Sequence, residues 1–260
     1  MRTWVEIDKE NLKYNVLKLK EIANNREVLG VVKANAYGLG SIEIAKILKE
    51  VGVKFFGVAN LEEAIELQEA GIKDKILILG ASFEDELMEA TKRGVHVAIS
   101  SMEQLHFLVT NKLNPNIHLK FDTGMTRLGF EVDEAEKVIE FCKKNNLNLV
   151  GIFSHLSDSD GNTMETKNFT LEQINKFKKI IITIPGESKK SNIEKTFTDF
   201  KNSFLDCMQE TVIEKNDNYK TVIENAIIEC SSKNIPLLIT GSFYLAAEAK
   251  TIYSRLQPFL

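Results

Sequence analysis

The sequence has few cysteines, few histidines and no long apolar run. Its three cysteines, Cys142, Cys207 and Cys230, are scattered and odd in number. That argues against a disulfide framework and against any cysteine metal motif readable by spacing. A reducing cytoplasm is the simplest home. The four histidines, His96, His106, His118 and His155, are too dispersed to mark a metal cluster. With no partner visible, His96, His106 and His118 read as structural or surface residues. No stretch reaches the roughly 20 apolar residues that a membrane-spanning helix needs. The opening residues, Met1-Arg2-Thr3-Trp4-Val5-Glu6-Ile7-Asp8, turn acidic at once and have no signal-peptide core. A net charge of −4 gives no electrostatic reason to expect nucleic acid or an acidic membrane surface. There is no low-complexity segment, and no internal repeat beyond the alternation described next.

With 43% hydrophobic and 27% charged residues, the 260-residue chain has the composition of a soluble globular protein. It is long enough for one large α/β domain or two ordinary ones. Residues 9–24 place Leu12, Val16, Leu19 and Ile22 at helical spacing, with Asp8 as N-cap. Short apolar runs then recur at 28–32, 54–58, 75–79, 95–99, 117–121 and 148–153. Amphipathic segments lie between them, around 40–51, 60–71, 84–93, 101–112 and 132–145. This is a succession of βα units, which predicts parallel strands with right-handed crossovers. About six units suit an incomplete (β/α)8 TIM-type barrel or a doubly wound sheet. The barrel is favoured because Lys33, Leu79-Gly80, Asp122-Thr123-Gly124 and Ser154-His155 all fall at strand C-terminal ends, where a barrel gathers its site.

The pattern changes after about residue 182. Residues 181–185 read as a strand and 186–192 as a basic loop. A helix near 193–205, a strand at 208–214 and a helix over 217–231 follow. A buried strand at 235–240 then leads to a final helix at 242–256. The expectation is therefore two parts, a barrel over 1–181 and a small α/β segment over 182–260, with the boundary between 181 and 186.

Lys33 ends the apolar run Val28-Leu29-Gly30-Val31-Val32 and precedes Ala34-Asn35-Ala36-Tyr37-Gly38-Leu39-Gly40. A desolvated lysine exposes a neutral amine suited to forming a Schiff base. The plainer reading is a strand-end lysine with its ammonium in solvent. Lys120 sits among apolar neighbours on a strand, and Arg127 follows the turn of Asp122, Thr123 and Gly124. An arginine there can fork onto a phenolate or carboxylate. The alternative is a snorkelling lysine and a surface arginine. His155 can stack on an aromatic ligand or move a proton, or simply hydrogen-bond to a loop.

Three stretches together resemble the N-terminal barrel domain of alanine racemase. They are Val31-Val32-Lys33-Ala34-Asn35-Ala36-Tyr37-Gly38, Lys120-Phe121-Asp122-Thr123-Gly124-Met125-Thr126-Arg127-Leu128-Gly129, and Gly151-Ile152-Phe153-Ser154-His155-Leu156. Val58-Ala59-Asn60-Leu61-Glu62-Glu63-Ala64 and Ile78-Leu79-Gly80 fit as well. The resemblance implies a pyridoxal 5'-phosphate enzyme that interconverts L- and D-alanine and supplies D-alanine for cell-wall precursors. It implies that Lys33 bonds the cofactor and is one of two racemisation bases. Tyr37 would reach the cofactor phosphate, and Leu79 and His155 would pack by its ring. Arg127 would face the cofactor phenolic oxygen and the substrate carboxylate, and Lys120 would be a carbamate supporting that arginine. Family members are homodimers, which leaves a homodimer open here.

The strands and second domain that complete the family's phosphate cup, and the tyrosine that is its opposite base, have no counterpart in this chain. That implies impaired racemisation, with a non-catalytic cofactor-binding protein or an inactive fusion as alternatives. Thr183-Ile184-Pro185, Lys189-Lys190-Ser191-Asn192 and Pro236-Leu237-Leu238-Ile239-Thr240-Gly241-Ser242-Phe243-Tyr244-Leu245 resemble the end of folylpolyglutamate synthase/dihydrofolate synthase. The phosphate-binding loop of that family is absent, so no ATP chemistry is implied.

Overall fold

The computed structural model describes residues 5–23 and 26–182. It begins with α1, Lys9–Ile22, where Asp8 Oδ1 accepts from the Asn11 N–H at 3.0 Å and caps the helix as predicted. Six strands follow: β1 Gly30–Val31, β2 Phe55–Val58, β3 Lys75–Ile78, β4 His96–Ile99, β5 Ile117–Lys120 and β6 Leu149–Phe153. All pair in parallel, in the order β1-β2-β3-β4-β5-β6. A doubly wound sheet reverses its order at a switch point. This one does not reverse, which is the barrel pattern.

The crossovers are α3 Ser41–Glu50, α4 Leu61–Glu69, α5 Glu84–Arg93, α6 Met102–Thr110 and α7 Ala135–Lys144, the last entered through a 3-10 turn at Val132–Glu134. Each lies within two or three residues of its predicted place. A further helix, α8 Met164–Ile182, was not anticipated. Its apolar residues are interrupted by a polar entry, so the helical period is weak there. It also overturns the start of the strand expected at 181–185, because Ile181 and Ile182 are helical. The remaining elements expected beyond 182, and the folylpolyglutamate synthase-like segment, lie outside the described residues.

The sheet has two unlike faces. Phe56, Ile76, Ile78, Val97, Ile99, Ile117 and Leu119 share one core with Ala64, Leu67, Leu87, Leu105 and Leu108 of the helices. Burying such side chains removes apolar area worth about 25 cal/mol per Å². Strand side chains alternate, so the residues between them face the other way. Register sets them side by side: Gly57 pairs with Leu77 and Leu77 with His96. On the far strands, Ala98 pairs with His118, His118 with Gly151 and Lys120 with Phe153.

The histidines read as partnerless do have partners. His96 Nδ1 and His118 Nε2 share a 2.9 Å hydrogen bond beside the Phe55 ring. Burial, then His96 and Lys75, pushes His118 down to about 4. His106 packs edge-on to Phe141. Cys142 is a buried free thiol that burial pushes up to about 11, so its role is packing. Among the described residues no helix is long and apolar enough to cross a membrane.

Residues 158–170 belong to a second compact unit. Within it Thr163 Oγ1 accepts from the Thr166 N–H at 3.1 Å, and Thr170 Oγ1 donates to the Asp158 carbonyl at 3.2 Å.

Candidate functional site

The backbone leaves β1 with the Val32 N–H still bonded to the Gly57 carbonyl at 2.9 Å. Lys33 therefore emerges at the C-terminal end of the sheet. It opens α2, Lys33–Tyr37, a single turn of opposite hand to the other helices among the described residues. Ala34, Asn35 and Ala36 have φ of 51°, 54° and 50° with ψ near +45°, and Tyr37 has φ 55°. Such a conformation costs an L-residue roughly 1–2 kcal/mol, so four in succession must be held from outside. The Ala36 N–H reaches the Val32 carbonyl at 2.8 Å, and the Gly40 N–H reaches the Asn35 carbonyl at 2.9 Å. Asn35 Oδ1 accepts from the Ser41 N–H at 2.9 Å, the first amide of α3. Glu63 Oε1 accepts from the Ala34 N–H at 2.8 Å.

The second contribution comes from the end of β5. The loop 122–129 leaves the strand and returns: the Phe130 N–H bonds to the Lys120 carbonyl and the Asp122 N–H to the Phe130 carbonyl, both at 2.9 Å. Gly129 closes it at φ 145°, where a Cβ would collide with the backbone of Phe121 and Asp122. Asp122 organises the loop interior, Oδ1 accepting from Gly124 N–H at 2.8 Å and Oδ2 from Arg127 N–H at 2.9 Å. Burial pushes the Asp122 carboxyl up, but the backbone donors outweigh it, and the group sits below its usual value. Its negative charge is thus spent on amides.

The third comes from β6. Beyond it, the Ser154 and Thr123 hydroxyls share a 2.8 Å hydrogen bond. Buried Gln173 of α8 donates to Thr123 Oγ1 at 3.3 Å and to the His155 carbonyl at 3.2 Å. It accepts from Ser157 N–H at 3.0 Å and Ser157 Oγ at 2.9 Å. One side chain ties the β5 loop to the β6 loop.

The β5 loop and the residue after Ser154 form a shallow concavity lined by Lys120, Phe121, Asp122, Met125, Arg127, Leu128 and His155; Lys33 does not line it. Lys120, not Lys33, is the buried lysine, at 6% exposure. Lys33 is half-buried. Burial lowers the Lys120 pKa, Arg127 and Lys33 lower it further, and Asp122 only partly offsets them. His155 is likewise held toward the neutral form, by burial first and then by Arg127, Lys120 and Lys33. Lys120 and His155 therefore both feel the charges of Lys33 and Arg127 at one end of the sheet. Among the described residues no carboxylate is ion-paired with Lys120; its ammonium lies over the Phe153 ring at 5.7 Å. A cationic cluster around a buried lysine fits an anionic ligand. Leu79 is half-buried beside Gly57 and Leu29, and Tyr37 is 58% exposed; neither lines the concavity.

Residues 7–203 match the family described as alanine racemase, N-terminal domain. The chain belongs to the alanine racemase N-terminal domain family. An alanine racemase of Fusobacterium nucleatum subsp. nucleatum is 82% identical over 205 residues, covering 79% of this chain and 58% of that protein. One from Carboxydothermus hydrogenoformans is 37% identical over 179 residues, covering 66% and 48%. The chain thus spans about half the length of the curated relatives it matches. Among solved structures, alanine racemase of Clostridium difficile 630 superposes with a TM-score of 0.63 at 31% identity over 69% of this chain and 48% of that one. A histidine racemase from Leuconostoc mesenteroides subsp. sake superposes at 0.58 with 25% identity, over 64% and 46%. The racemase-family match runs through residue 203, past the boundary expected at 181–186.

Glu63 and Gln173 were not singled out from the sequence. Glu63 stands three residues after the N-cap Asn60, where a carboxylate reads as a local helix cap. Its reach to Ala34, 29 residues away, leaves no trace in spacing. Gln173 lies on the helix that went unrecognised.

Proposed function

We propose that this alanine racemase-family chain carries the lysine side of a pyridoxal 5'-phosphate site and interconverts L- and D-alanine in the cytoplasm. The observation that carries the reading is buried Lys120, with no carboxylate ion-paired to it among the described residues, in electrostatic reach of Lys33, Arg127 and a His155 held toward neutrality. That arrangement suits an aromatic ligand bearing phosphate and phenolate charge.

When bound, the cofactor supplies the sink for negative charge developing at the substrate Cα. Lys33 Nζ would hold the cofactor, and as a free amine it would take or return the Cα proton on its own face of the substrate. Arg127 presents its fork to the phenolic oxygen and the substrate carboxylate. His155 and Leu79 would pack against the ring, and the Tyr37 hydroxyl would donate to the phosphate. Burial lowers the Lys120 pKa, so its ammonium gives up a proton more readily, and the amine would then add carbon dioxide with release of a second proton. The resulting carbamate would exchange a buried cation for an anion that pairs with Arg127. The reading carries a homodimer with it, which sedimentation equilibrium tests.

The test is borohydride reduction of the full chain equilibrated with pyridoxal phosphate, followed by peptide mapping. The label is expected on Lys33 and is absent in Lys33→Ala; an unlabelled Lys33 in the wild type would overturn the reading. L-alanine is then assayed for D-alanine formation, with L-histidine in parallel because one structural neighbour is a histidine racemase. Labelling without turnover would favour the second reading, a cofactor-binding protein without racemase activity. One observation favours that alternative: among the described residues, no tyrosine, cysteine or unbonded carboxylate lines the concavity to act as opposite base. The proposed chemistry is confined to residues up to 203. A separate folylpolyglutamate synthase-like segment from 182 onward would appear as a stable fragment in limited proteolysis.

A further inference from the structure

We propose that Glu63 is a positioning residue for Lys33. The proposal rests on the reading of Lys33 as the cofactor-bearing lysine. Glu63 Oε1 accepts from the Ala34 N–H at 2.8 Å and Oε2 from the Ala59 N–H at 2.7 Å. Its own N–H donates to Asn60 Oδ1 at 3.1 Å, which fixes the residue in the first turn of α4. One carboxylate therefore joins three things: the start of α4, the exit of β2 and the peptide that follows Lys33.

The geometry gives this strap a purpose. Ala34 is the first residue of the left-handed turn, and its amide is the peptide shared with Lys33. Four non-glycine residues with positive φ relax unless the surroundings over-determine them. The Ala36 N–H bond to the Val32 carbonyl restrains the peptide before Lys33, and the remaining restraints act further along, at Gly38, Gly40 and Ser41. Glu63 is the side-chain restraint on the peptide that follows the lysine, and with the Val32 carbonyl bond on the other side it sets the direction in which the Lys33 side chain leaves the backbone. The bonds are charge-assisted and hence the stronger kind. Among the described residues no cation is ion-paired with Glu63, so both of its oxygens are committed to the two amides.

Glu63→Gln keeps the size and places an NH2 against one of the two N–H donors, breaking one arm of the strap. The full chain is compared as wild type, Glu63→Gln and Leu108→Ala, the last a core truncation in α6 remote from Lys33 that lowers stability alone. Two quantities are read: the rate of borohydride-trapped pyridoxal phosphate labelling at Lys33, and hydrogen exchange of the Ala34 and Ala59 amides. In Glu63→Gln the labelling rate is expected to fall about tenfold or more, since small misplacements of a reacting group carry losses of that order. Exchange at Ala34 and Ala59 is expected to rise, while Leu108→Ala keeps the wild-type labelling rate. Wild-type labelling with both amides protected in Glu63→Gln would overturn the proposal, as would equal slowing in both variants. If wild-type Lys33 takes no label, the cofactor reading fails instead. The amide exchange of Glu63→Gln then still decides whether Glu63 holds the turn.

Discussion

The Lys120 ammonium lies 5.7 Å from the centroid of the Phe153 ring, on strands whose register pairs the two residues directly. The ring is the partner where an ion pair would be expected. A cation over an aromatic face contributes about 0.5–2 kcal/mol. Desolvating an ammonium costs several kcal/mol, so the cost wins and Lys120 is a site held against stability.

Lys120→Met is therefore expected to stabilise the apoprotein by about 1–2 kcal/mol, as buried charges replaced by apolar groups do. Calorimetry reads this as a higher melting temperature. The folded Lys120 pKa lies below the ordinary 10.5. The unfolded chain thus binds more protons between that lowered value and 10.5, and wild-type stability rises with pH across this window. The Met variant lacks that rise. A melting temperature that falls would contradict the account.

The His96–His118 pair sets an acid limit. His118 sits at about 4 in the fold against an ordinary 6.5, so unfolding takes up a proton between those values. Stability is expected to fall as pH drops from 6.5 toward 4. His118→Phe removes the titrating group and should flatten the profile there. Urea denaturation at successive pH values measures it.

Asp122→Ala removes the acceptor of the Gly124 and Arg127 amides. Two donors lose their partner, at a cost of about 1–3 kcal/mol. The Arg127 loop should also loosen, which hydrogen exchange at Gly124 and Arg127 resolves from a general loss of stability.

Gln173→Leu keeps the volume roughly but removes the acceptor of the Ser157 N–H and hydroxyl and one of the two hydrogen bonds of Thr123 Oγ1. A loss of about 1–3 kcal/mol is expected, read as a lower denaturation midpoint at unchanged slope. Since the His155 carbonyl is one of its acceptors, pyridoxal phosphate affinity should weaken too.

Most of the sheet was legible in the sequence because each strand is a short apolar run bounded by a helix of clear period. The runs at 54–58, 75–79, 95–99 and 117–121 became strands to within a residue or so. The Asp8 cap was legible because it is a contact three residues away. The left-handed turn after Lys33 was not. Of Ala34, Asn35, Ala36 and Tyr37 only Asn35 tolerates that hand readily, and the distant acceptor Glu63 helps to impose it on the others. The helix Met164–Ile182 was missed for lack of a strong apolar period.

By itself the sequence determined the βα alternation and the placing of Lys33, Lys120, Arg127 and His155 near strand ends, because both follow from local hydrophobic pattern. Tertiary structure alone decided which lysine is buried. The answer is Lys120, because strand register turns it to the inner face beside Phe153. Lys33 stands at the rim on a turn that would not hold its hand unaided. That turn is kept in place by contacts with residues far along the chain, which no local pattern records.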